Sequence, residues 1–290
     1  MPGAAVRAGS AIAGVDAVIG RLRDIGAGLP GDDGVAVFNA MYLTVTELVR
    51  HRLGQPCFAD PAAMAELDAV FAGRYLLAVD AVGAGRRPPA CWRPLFELRA
   101  HPGIHPVQFA LAGMNAHIQH DLPLAVVETC DRLGCEPQAL AADYRRIGEL
   151  LAEVETAVRE RLMPGPDVLE LAEPLTHLVG AWTVDAARDA AWASVVALRA
   201  LHGVPLAARA LTAALDGSVG LLGRALLTPL GLHGRGGPHD RHPEPGHHQP
   251  PGDGHTRPQG HSHSHGHGHG HGHSTTAGRL PEARNRPAVS

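Results

Sequence analysis

Lysine is absent from this 290-residue chain, and every basic side chain other than histidine is arginine. That absence reads as the codon bias of a GC-rich bacterial genome and carries no functional signal. Aromatic residues are scarce at 4%, so most of any core has to come from aliphatic side chains. Positive charge is in short supply as well: the formal net charge is -4 with His neutral. No basic patch of the kind a phosphate backbone requires is visible, which argues against a nucleic-acid partner. No apolar run reaches the roughly 18 residues of a transmembrane helix. Met1 to Gly14 lacks the apolar block of a signal peptide. The four cysteines, Cys57, Cys91, Cys130 and Cys135, form no C-x-x-C pair and are too sparse for a disulfide scaffold. They read as free thiols in a reducing compartment, which sets a cytoplasmic location as the expectation. There is no Gly-rich phosphate loop after a strand, no nucleophile elbow and no H-E-x-x-H, hence no nucleotide or flavin signature.

What remains is helical periodicity. Val35, Phe38, Met41, Tyr42, Val45, Leu48 and Val49 recur at three and four after a capping Asp32 or Asp33. Asp60-Pro61 is a strong helix start, with Met64, Leu67 and Phe71 following on one stripe. His105-Pro106 opens a segment striped by Val107, Leu111, Met114, Ile118 and Leu122, which Pro123 is expected to kink or divide. Further helices are expected over 15–27, 91–99, 137–163, about 168–178 and 183–201, with one or two more over 205–230 interrupted by Gly217 and Gly220. No period-two alternation appears anywhere. The fold class expected is all-α: a multi-helix bundle of about eight or nine helices with a disordered C-terminal tail. The domain reading is a flexible 1–14, a helical domain over 15–231 and a tail over 232–290.

In that tail Pro, Gly, His and polar residues replace apolar ones, so it cannot bury enough surface to offset its conformational entropy. His261, His263, His265, His267, His269, His271 and His273 alternate with Ser or Gly. Imidazoles on so pliable a chain suit capture and exchange of Zn or Ni more than a fixed catalytic geometry.

Within the helical region, His117 and Asp121 are four apart and share a face, with His120 on the same general side. Such a pair can bind a metal, orient an imidazole as a base, or simply hydrogen-bond. A closed site needs groups from other helices; Asn39, Glu47, Asp68, Asp80, Asp185 and Asp189 are the polar candidates. Gly113, one turn earlier, leaves space above the imidazole for another helix or a ligand. His101 and His105 flank prolines and read as loop or cap residues. Trp182 and Trp192 read as core anchors, and Arg188 with Asp185 or Asp189 as a surface or helix-end ion pair.

Several segments together resemble a known family. They are Phe38-Asn39-Ala40-Met41-Tyr42, Leu67-Asp68 through Tyr75, Trp92-Arg93-Pro94-Leu95-Phe96, and above all Gln108 through His117-Ile118 and on to Leu122. The chain is similar over about residues 15–230 to a bacterial, largely actinobacterial family, domain-of-unknown-function family 5995. The resemblance implies no activity. It implies that the Gly-Met-Asn-Ala-His-Ile-x-x-Asp-Leu pattern, here Gly113 to Leu122, is a family hallmark, and it strengthens Asn115, His117 and Asp121 as site residues.

Three functions fit these observations. One is an enzyme or small-ligand binder with a polar pocket around Asn39, Tyr42, Asn115, His117 and Asp121, with His117 and Asp121 a possible core metal pair. The second is a metal-handling protein whose tail carries Zn or Ni. The third is an interaction scaffold using the leucines of 205–230.

Overall fold

Four helix starts in this chain fall where a side chain can accept the free N–H groups of a first turn. In the computed structural model, which describes residues 2–162 and 183–229, Asp33 accepts from the backbone of Val35 and Ala36 to open α2 (Gly34–Leu53). Asp60 accepts from Ala63 to open α3 (Pro61–Gly83), with Pro61 at the first helical position. His105 accepts from Val107, and Gln108 reaches back to the His105 N–H, a capping box that starts α5 (Pro106–Ala116). Thr183 accepts from Ala186 ahead of α8 (Val184–Ala200). Gly134, in the left-handed conformation at φ 64°, closes α6 (Leu122–Leu133). The remaining helices are α1 (Pro2–Ala27), α4 (Arg93–Leu98), α7 (Ala141–Leu162) and α9 (Pro205–Leu226), and a single 3₁₀ turn spans Pro137–Ala139. Among the described residues there is no strand, and no helix is long and apolar enough to cross a membrane.

The helices depart from their expected limits in places. α1 runs from Pro2, well before Val15, because its Ala-rich start tolerates interior glycines at about 1 kcal/mol each. α9 continues through Gly217 and Gly220 for the same reason, and because Gly220 is pressed against the backbone of Ala90. The expected helix over 168–178, Trp182 and the tail histidines lie outside the described residues.

α5 and α6 form the axis of the fold. α5 packs against α2, α4 and α9, and α6 against α3 and α8. α5 is apolar almost all round, with Val107, Phe109, Ala110, Leu111, Ala112 and Ala116 buried, as a helix enclosed by others must be. One core cluster centres on Phe38, Tyr42, Tyr75, Trp92, Leu95, Leu226 and Leu227. A second collects Met64, Leu67, Ile118, Leu122, Val126, Leu150 and Val195. The leucines of α9 divide accordingly: Leu226 and Leu227 are buried, whereas Leu206 and Leu221 face solvent.

Arg188 departs from its expected surface pairing. It is 6% exposed, lies over the Tyr144 ring at 4.1 Å and donates to the Tyr144 carbonyl. The Tyr144 hydroxyl donates back to the Arg188 carbonyl at 2.8 Å. The seam between α7 and α8 offers the guanidinium an aromatic face and a carbonyl, so it stays buried. Trp192 packs beside the same tyrosine, with ring centroids 4.8 Å apart.

Candidate functional site

Pro123 has no N–H to give the carbonyl four residues earlier, and its ring collides with that carbonyl in a regular helix. The chain solves this without a break. His117–Asp121 forms a π-turn between α5 and α6, in which the Leu122 N–H donates to the His117 carbonyl. Such turns add a residue to the helical circuit and recur at functional sites. Here the extra residue swings His117, His120 and Asp121 inward together, and all three are buried.

Asp121 is the hub of the cluster. Oδ2 accepts from Trp92 Nε1 at 2.9 Å and from His117 Nδ1 at 3.0 Å, and Oδ1 accepts from His120 Nδ1 at 2.8 Å. Burial alone would raise its pKa, but the hydrogen bonds from His117 and His120 outweigh it and hold the carboxyl below its ordinary range. An ionised carboxylate only accepts, so both imidazoles carry a proton on Nδ1, and His117, which stays neutral, leaves Nε2 as a lone pair. Burial keeps His117 neutral, against the pull of Asp121, and the charge of Arg74 adds to that effect.

The His117 ring is walled by aromatics. Phe71 stacks on it at 3.6 Å between centroids, and Tyr42 meets it edge-on at 4.5 Å. Buried polar atoms without a hydrogen-bond partner in this neighbourhood include His117 Nε2, Tyr42 Oη, Asp68 Oδ2 and Arg74 Nε. Burial, then the nearby Asp68, keeps the Tyr42 hydroxyl protonated. Asp68 itself is raised by burial to about 7. Orphaned groups of this kind are rare in folded proteins, and each needs a reason. A lone-pair nitrogen, a hydroxyl and an acid raised to about 7 are groups that can accept, donate and exchange a proton.

The Asp68 value makes a stability prediction. Its folded pKa of about 7 lies above the ordinary 3.8. Between those values the unfolded chain has lost the proton that the folded chain keeps, so stability falls as pH rises, and levels off above the higher value. Asp68→Asn is therefore expected to stabilise more at pH 8 than at pH 5, by about 2–3 kcal/mol. Urea unfolding at both values measures this, and an equal effect at the two would place the carboxylate in contact with water.

The other residues singled out in the sequence have different roles. Asn115 Nδ2 donates to the Val219 carbonyl of α9 at 3.0 Å, and its Oδ1 accepts from Gln119 at 2.8 Å. Asn39 Nδ2 donates to the Leu22 carbonyl at 2.8 Å, and its Oδ1 accepts from Tyr75 at 3.4 Å. Both amides staple helices together and turn no free atom toward His117. Glu47 and Asp80 pair with Arg23 and Arg21 on the surface, and Asp185 and Asp189 are exposed. Of the acids named, Asp68 is the one buried beside Tyr42. The space over Gly113 is filled by the Phe38 ring.

Trp92, Cys91 and Asp216 were not legible as partners of this cluster. Asp216 had one local signal, being the sole acidic residue of α9. Its carboxylate accepts from the backbone of Ala90 at 3.0 Å and Cys91 at 2.9 Å.

The model of a family of unknown function, DUF5995, matches residues 15–229. No curated protein and no solved structure matches.

Proposed function

This chain belongs to the family of unknown function DUF5995, and from its buried histidine cluster we propose that it is a helical small-ligand binder with acid–base capability. The observation that carries the reading is His117 Nε2, a buried lone pair without a partner on a ring whose other nitrogen is pinned to Asp121. His117 serves as the acceptor, and Asp121 is the positioning residue that sets its tautomer. Tyr42 and Asp68 supply a donor and a titrating acid. Asn39 and Asn115 hold α1, α2, α5 and α9 in the arrangement the cluster requires. His117 is packed among Tyr42, Phe71 and Trp92, so a ligand reaching Nε2 has to be small.

Nitrogen-15 NMR of labelled histidine tests the premise. At pH 7 one buried ring is expected with Nδ1 protonated and Nε2 bare, and its signals vanish in His117→Gln. A thermal-shift panel of small acids, amides, amines and alcohols then asks for a class that raises Tm in the wild type and leaves His117→Gln unmoved. Finding Nε2 protonated would remove the open acceptor and the proposal with it.

The tail supports a second, accessory reading. His261, His263, His265, His267, His269, His271 and His273 are expected to capture Zn²⁺ or Ni²⁺ in several weak, exchangeable modes. Calorimetry on the full chain and on a chain ending at Leu232 checks this. The weak multi-site component is expected to disappear with the tail, and unchanged stoichiometry would exclude the tail as carrier.

A further inference from the structure

The free nitrogen of His120 meets a different set of neighbours from that of His117. Its Nδ1 is held by Asp121 at 2.8 Å. Its Nε2 lies 3.8 Å from Asp216 Oδ1, beyond hydrogen-bond reach. Cys91 completes the group: one ligand atom from each of Cys91, His120 and Asp216 lies within 4.8 Å of the others. We propose that these three side chains form a binding site for a zinc-class divalent cation, with a fourth position open to water or to a ligand.

The donor set suits such an ion. Thiolate, imidazole and carboxylate together match the borderline softness of Zn²⁺, and three protein ligands leave tetrahedral coordination incomplete. The supports are already built. Asp121 grips the far nitrogen of His120, the carboxylate–histidine–metal arrangement that orients a ligating ring. The backbone N–H groups of Ala90 and Cys91 fix the Asp216 carboxylate, one on each oxygen, and the Cys91 thiol donates to it as well until a cation displaces its proton. α9 can bring Asp216 this close because residue 220 is glycine: a Cβ there would stand 2.5 Å from the Ala90 carbonyl oxygen. Cys91 and His120 are buried, whereas the Asp216 side chain is 26% exposed, so the cation reaches the site from the α9 side. Binding releases the Cys91 thiol proton to solvent, since the thiolate is the ligand. The proposal is independent of the His117 reading and shares only Asp121 with it.

Cobalt separates this site from the tail in the intact chain, because the four cysteines are Cys57, Cys91, Cys130 and Cys135 and the tail has none. With saturating Co²⁺ the wild type is expected to show a near-ultraviolet thiolate-to-cobalt charge-transfer band and the visible bands of a tetrahedral ion, both displaced by Zn²⁺. Cys91→Ser is expected to lose the charge-transfer band while keeping its helical circular dichroism. Asp216→Asn is expected to weaken Co²⁺ binding, read from the same band, by at least about tenfold. No thiolate band in the wild type, or a band undiminished in Cys91→Ser, overturns the proposal. Should Cys91→Ser fail to fold, Asp216→Asn decides the matter alone, and unchanged affinity in that variant is equally fatal.

Discussion

Asp121→Ala is expected to cost about 3–5 kcal/mol of stability, the range for removing one partner from a buried charged network. The substitution leaves Trp92 Nε1, His117 Nδ1 and His120 Nδ1 facing a cavity where each had a carboxylate oxygen at 2.8–3.0 Å. An unpaired buried donor costs about 1–3 kcal/mol. The total stays below the simple sum because either imidazole can change tautomer and water can enter the vacated space. In a domain of this size the loss corresponds to a fall in Tm of about 6–20 °C. Asp121→Asn should lose less, since its Oδ1 still accepts while its amide group meets other donors head-on. Urea unfolding of the two variants provides the measurement. A cost under about 1 kcal/mol for the alanine variant would show that the three donors find other partners.

The second large effect is expected at Gly113. An added Cβ would overlap the Phe38 ring, striking Cδ2 and Cγ. Phe38 cannot step aside, because it is 1% exposed and is packed against Tyr42, Tyr75 and Trp92 with centroids 5.1–5.7 Å away. α5 must therefore move off α2, and overpacking of this kind costs about 1–3 kcal/mol. Gly113→Ala is expected near the top of that range because a ring core, and no flexible chain end, opposes the new methyl. The displacement also draws His117 away from Tyr42, so the NMR signals of His117 should shift even where the variant remains folded. A variant with wild-type stability and unshifted histidine signals would mean that α2 and α5 are less tightly opposed at this point.

Groups that interact within a helical turn or two are legible in the sequence, and groups that meet across many residues are not. Asp33, Asp60 and Thr183 cap their own helices within three residues, and apolar spacing acts over single turns, so helix starts and the all-helical class could be read directly. His117 and Asp121 belong to the same class: four residues apart on one helix, they meet whatever surrounds them. Pro123 lies at the limit of that reach. It announces a defect in the helix, but whether the backbone kinks or winds a π-turn depends on what packs on both sides, and here α3, α8 and α9 press on the turn.

Everything that gives the cluster its chemistry comes from farther away. Trp92 reaches Asp121 across 29 residues, Asn115 holds Val219 across 104, and Asp216 caps Cys91 across 125. Arg188 is buried because Tyr144, 44 residues earlier, offers it a ring face and a carbonyl. No periodicity encodes such meetings, since they follow from how helices cross and which small residues let them close. Contacts within a few residues fix most helices, their caps and the His117–Asp121 pair. Which polar side chains staple helices together and which keep unpaired atoms follows from how those helices cross.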